Sequence, residues 1–211
     1  MPYGYLGQNQ PNQTVNNSGV FSITDVAELQ SQGKLGGSLE LIAEETISSA
    51  TVVDFLNIQE NKFDVHYLTY DNVLFANETS FEAVSFQLYE SGVLETGSVY
   101  QYAHQYGTSS GSFAENKSTG TASVLVSIAS GNTTPETSNG YIYFYNLGNS
   151  AKYSFATFHN TQFSTGTNDY TMTFGSAVLP QASTVDGIRF KSQNTANLTQ
   201  GTISLYGIAE S

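Results

Sequence analysis

Cysteine and tryptophan are absent from the 211 residues, and methionine occurs only twice. Without thiols the chain has no disulfide, no thiolate metal site and no cysteine nucleophile, so its fold is indifferent to the redox state of its surroundings. Basic residues are scarce as well: 6 lysines and arginines stand against 18 acidic residues, a formal net charge of −12. Such a chain repels phosphate backbones and anionic lipid headgroups, and no nucleic-acid partner is expected. No apolar run reaches the ~18 residues of a membrane-spanning helix, so no membrane insertion is expected. The N-terminus lacks the basic segment and apolar stretch of a secretory signal.

What remains is aromatic and uncharged. Aromatic residues make up 13% of the chain and charged ones only 11%. The core must therefore be built from Phe, Tyr, Val, Ile and Leu, and solubility must come from Ser, Thr, Asn, Gln and Gly. At this length folding buries roughly 70% of the unfolded chain's surface, enough for one sizeable core.

Three regions follow from the pattern. Residues 1–19 read as an N-terminal arm, with Pro2, Pro11 and many Asn and Gln residues opposing regular structure. Its apolar residues Tyr3, Tyr5 and Leu6 suit it to docking. Residues 20–36 hold one short helix, roughly 23–32. Ser22 is its N-cap, Asp25 completes a capping box, Phe21 can staple onto Val26, and Gly33 stops it. Ile23, Val26 and Leu29 share one face, and a helix this short needs a surface to lie on. With the arm, Phe21, Val26 and Leu29 form a candidate attachment segment. From residue 37 to 211 the period is two, with about ten strands separated by turn residues. That predicts an all-β fold, a single β-sandwich or jelly roll. Residues 107–121 read as a long polar connection.

The run "GYIYFYN" (140–146) is the densest aromatic stretch. On a strand, Ile142 and Phe144 face one way and Tyr141, Tyr143 and Tyr145 the other. A two-residue turn at Gly148-Asn149 would pair Tyr145 with Lys152, Phe144 with Tyr153, Tyr143 with Ser154, Ile142 with Phe155 and Tyr141 with Ala156. The core side would then hold Ile142, Phe144, Tyr153 and Phe155. Tyr141, Tyr143, Tyr145 and Lys152 would form a candidate subunit-contact or ligand surface, with Lys152 resting on Tyr145.

Catalytic patterns are not evident. No G-x-S-x-G elbow, phosphate-binding glycine loop or calcium loop occurs. His66, Asp64 and Asp71 offer possible zinc ligands, but the alternation favours a solvent-facing polar pair of Asp64 and His66. Glu40 and Glu44 read as a solvated acidic stripe rather than a glycosidase pair. No catalytic residue, metal or cofactor is assigned.

Short words at both ends carry a resemblance. "NNSGVFSITDVAELQSQGKLGGSLELI" (16–42), "NGYIYFYNLGNSAKYSFATFHN" (139–160) and "LPQASTVDGIRFKSQNTANLTQGTISLYGI" (179–208) resemble structural proteins of marine tailed bacteriophages. The resemblance implies a non-enzymatic virion protein with a jelly-roll-like sandwich, a tail or fibre component or a capsid decoration. It also implies an oligomer; beside it, the leading expectation is a homo-oligomer, a trimer above other states, in contact with other virion proteins, and the composition suits assembly in bacterial cytoplasm. A module binding host-surface glycan is the alternative, since tyrosine rows stack on sugar faces.

Overall fold

The computed structural model describes residues 23–31, 39–76, 82–128, 130–164 and 169–209. The chain divides into two units, residues 1–38 and 39–211. In the first, helix α1 (Ile23–Ser31) forms where the pattern places it, and Ile23 and Val26 are exposed. Tyr3, Tyr5, Leu6, Phe21, the Ser22 cap and the Gly33 stop lie outside the described residues.

The second unit is an antiparallel β-sandwich, with thirteen strands among the described residues. They are β1 (Leu39–Ile47), β2 (Val52–Phe55), β3 (Val65–Phe75), β4 (Val84–Glu90), β5 (Val93–Leu94), β6 (Tyr100–Thr108), β7 (Phe113–Thr121), β8 (Val124–Leu125), β9 (Ser138–Tyr145), β10 (Ser154–Ser164), β11 (Asp169–Leu179), β12 (Val185–Ser192) and β13 (Leu198–Ile208). The larger sheet runs β1-β13-β3-β9-β10-β11-β6-β7; the smaller runs β2-β12-β4-β5, with β8 also on β4. The pairs β1·β13, β2·β12, β3·β9 and β4·β8 are nested, so the chain folds back on itself as one long wrapped hairpin. This is jelly-roll connectivity. Two insertions, β6–β7 and β10–β11, pair with each other through β11·β6 and widen the larger sheet into a four-strand wing.

Alternation puts the apolar set of each sheet inward. Leu68, Ile142, Phe144 and Leu205 of the larger sheet meet Phe86, Leu88, Ile188 and Phe190 of the smaller, all buried. Rings lock across the gap: Phe86 lies edge-on to Phe144 at 5.1 Å and Tyr70 lies 5.2 Å from Phe190. Gly140 lets Tyr70 cross β9, because a Cβ there would sit 2.4 Å from the Tyr70 hydroxyl. That hydroxyl donates to Asn160 Oδ1 at 2.8 Å, and Asn160 donates onward to Gln162. Burial pushes the Tyr70 pKa well up, so the network holds a neutral phenol.

Two strands exceed the sequence expectation. β5 follows a tight turn in which Ser91 and Gly92 both have positive φ, 50° and 79°. β7 occupies much of the expected connection at 107–121. Its sequence FAENKSTGT is polar on both faces because it is an edge strand with little apolar cover. Its charged side chains protect that edge from pairing with other chains.

The expected polar pair of Asp64 and His66 does not form at the surface. Asp64 is exposed, but His66 points inward and is fully buried beside the Phe63 ring. Its Nε2–H donates to the Ile58 carbonyl at 2.7 Å, and Nδ1 has no partner. His104 repeats the arrangement: Nδ1–H donates to the Leu125 carbonyl at 3.1 Å, and Nε2 has no partner. Burial lowers both pKa values, because a second ring proton would lie in apolar surroundings without an acceptor. Backbone carbonyls, and Glu60 near His66, only partly oppose this.

Candidate functional site

The tyrosine hairpin forms with a different register. Its loop is not the two residues Gly148-Asn149 but the longer stretch 146–153. Asn146 takes a φ of 64° and accepts from the Asn149 N–H, and the Asn149 carbonyl accepts from Lys152. Leu147 is buried, and its carbonyl accepts from the Val185 N–H at 2.8 Å. A buried leucine with a tertiary hydrogen bond anchors this loop, which local turn rules do not anticipate.

The pairing therefore moves by three residues: Tyr145 faces Phe155, Phe144 faces Ala156, Tyr143 faces Thr157, Ile142 faces Phe158 and Tyr141 faces His159. An odd shift exchanges the faces of the second strand. Ala156 and Phe158 enter the core, while Tyr153 and Phe155, expected inside, are 48% and 46% exposed. Lys152 stays in the loop, and its expected place opposite Tyr145 is taken by Phe155. The assignment of Ile142 and Phe144 to one face and the three tyrosines to the other agrees with the structure.

The tyrosines belong to a wider surface on the outer face of the larger sheet. One row across the strands reads Leu41, Tyr206, Tyr67, Tyr143, Thr157, Ser176, Ala103, Lys117. On one side of it runs Val65, Tyr145, Phe155, Val178, Gln101. On the other runs Thr69, Tyr141, His159, Phe174, Gln105, Glu115.

Over β13, β3 and β9 the surface is a tyrosine patch. The Tyr67 ring lies 4.6 Å from Tyr143, 5.9 Å from Tyr141 and 6.2 Å from Tyr206. Tyr141 lies 5.8 Å from His159, and Tyr143 stacks on Tyr145 at 6.5 Å. The Tyr67 phenol has its pKa raised, first by partial burial and then by the neighbouring hydroxyls of Tyr143, Tyr141 and Tyr206. Tyr67 is therefore held neutral. Tyr67 and Tyr206 were not singled out from the sequence; the β alternation of "FDVHYLTY" and "GTISLYGI" put them on one strand face, but only the sheet order brings them beside Tyr143.

Over the wing the same row drops to small residues, Thr157, Ser176 and Ala103. This leaves a trough between Phe155 with Tyr145 on one side and Phe174 on the other. It contains two hollows, of about 450 Å³ and about 230 Å³, which meet at Ala103 and Lys117. At its far end Lys117 pairs with Glu115, and the hydrogen bond and charge of Lys117 hold the Glu115 carboxyl below its usual range. Among the described residues no group of three or more His, Asp or Glu is placed to hold a metal. No described helix is long and apolar enough to cross a membrane. Compared with protein families, curated proteins and solved structures, the chain matches none.

Proposed function

We propose that the protein is a non-enzymatic structural component of a virion. Its sandwich associates with further copies of the chain, three in the favoured assembly, through the tyrosine patch over β13, β3 and β9 on the outer face of the larger sheet. The segment before residue 39 joins it to other virion proteins, on the tail or as a decoration of the capsid. The observation that carries this reading is the tyrosine patch of Tyr206, Tyr67, Tyr143 and Tyr141. Tyr141 is exposed and the other three rings are half-buried, and contiguous aromatic surface of this kind favours burial against a partner over contact with water. The sheet edges beside it bear charged side chains on β1 and β7, which disfavours open-ended edge pairing and leaves the face as the better contact. The acidic, cysteine-free composition and the resemblance to phage structural proteins support the virion setting.

Mass spectrometry of density-purified particles from cells that produce the protein tests the function. The expected result is co-purification of this chain at a fixed ratio to the shell protein: hundreds of copies for a decoration, or a small multiple of three for a tail part. Exclusive recovery in the particle-free fraction would overturn the proposal.

A further inference from the structure

The trough differs from the tyrosine patch in shape and chemistry. Its floor of Thr157, Ser176 and Ala103 is small and mostly hydroxyl-bearing, and its walls are the half-exposed rings of Phe155 and Phe174. From β9 to β7 it crosses four inter-strand steps, about 19 Å at ordinary sheet spacing. Its larger hollow, about 450 Å³, lies within the range of ligand-binding clefts.

The lining selects among ligand classes. Phe155 and Phe174 offer apolar ring surface to the C–H face of a sugar, while Thr157, Ser176, Gln101 and Gln105 offer hydroxyls and amides to its hydroxyl groups. The one basic group, Lys117, is already matched by Glu115, and the chain carries a net charge of −12. An anionic polymer would therefore be repelled. An extended peptide has no backbone to pair with, because the strands forming the floor are hydrogen-bonded on both sides. A wholly apolar ligand would cover the Ser176 hydroxyl and the flanking Gln101 and Gln105 amides without offering them partners.

We infer that this trough binds a neutral oligosaccharide, lying across the strands with its sugar rings against Phe155 and Phe174. The inference does not rest on the virion reading: a monomer absent from every particle that still binds sugar keeps this inference and loses the other.

The test is an array of neutral tri- to hexasaccharides, with sialylated and sulfated glycans alongside, followed by titration calorimetry on the best ligand. Neutral glycans should be retained and acidic ones should not. Phe155→Ala and Phe174→Ala should each weaken binding about tenfold, the loss of one aromatic contact. Ala103→Trp, which fills the trough from an exposed position, should abolish it. Leu56→Ser, an exposed apolar residue following β2, should leave affinity unchanged. Unfolding temperatures of all four variants should remain near that of the parent chain. Retention of no neutral glycan, retention of acidic glycans alone, or unaltered binding by Phe155→Ala and Ala103→Trp would overturn the inference. So would a change in oligomeric state alone.

Discussion

On the outer face of the smaller sheet, Arg189 grips Asp54 through two hydrogen bonds of 2.7 Å and donates a third to the Tyr89 hydroxyl. On the outer face of the larger sheet, Tyr206, Tyr67, Tyr143 and Tyr141 lean on one another. Both faces back onto the same core, so burial behind them does not explain the contrast. The smaller sheet meets water with matched charge. Burial works to raise the Asp54 pKa, yet the hydrogen bonds and charge of Arg189, helped by Tyr89, bring it below the usual carboxylate range. The larger sheet offers neutral rings with only a few hydroxyl contacts, such as Tyr145 to Thr157 at 3.2 Å. A face built this way gains most from a second surface laid over it.

The comparison breaks most readily by placing a charge on each sheet. Tyr67→Glu should weaken self-association at least about a hundredfold, since a carboxylate would be desolvated without a partner. Val93→Glu, at an exposed site on the smaller sheet, should leave association unchanged in sedimentation velocity.

pH should separate the faces next. The Tyr67 pKa is raised in the folded chain, so its contribution is present below about pH 10 and is lost as pH rises through the folded value. Association should fail on that alkaline side. The lowered Asp54 pKa gives the opposite sign: its contribution is present above about pH 4 and is lost as pH falls through the folded value. His66 and His104 add an earlier acid loss, beginning below about pH 6.5, because their folded pKa values are also lowered. Chemical denaturation across pH reads the stability terms, and light scattering reads the association.

Smaller effects sharpen the contrast. Asp54→Ala should cost about 1–2 kcal/mol of folding stability by leaving the Arg189 charge without its carboxylate, without changing association. Tyr143→Ala should do the reverse, costing under about 1 kcal/mol of stability while weakening association roughly tenfold. Last, raising salt to half-molar should strengthen association rather than weaken it, because it screens repulsion between copies of net charge −12 and, among the described residues, no ion pair lies in the tyrosine patch.

The sequence made the sandwich legible through period-two alternation, and it placed α1 and the core side of β9. It did not reveal β7, because an edge strand exposed on both faces carries no alternation to read. It misplaced the register of β9 and β10, because Leu147 is held by burial and by Val185, a residue far along the chain. Three of the tyrosines were visible as one run. Their neighbours Tyr67 and Tyr206 lie on strands distant in sequence, and jelly-roll nesting alone brings β13 and β3 beside β9. The trough was hidden for the same reason: Thr157, Ser176 and Ala103 are unremarkable until three strands align them.

Sedimentation equilibrium of the unaltered chain, from low to high micromolar concentration at neutral pH, tests most directly whether the larger sheet's outer face is a contact between copies. The expected mass is a multiple of the 22.8 kDa protomer, with three copies favoured. A mass of 22.8 kDa at every concentration would contradict it.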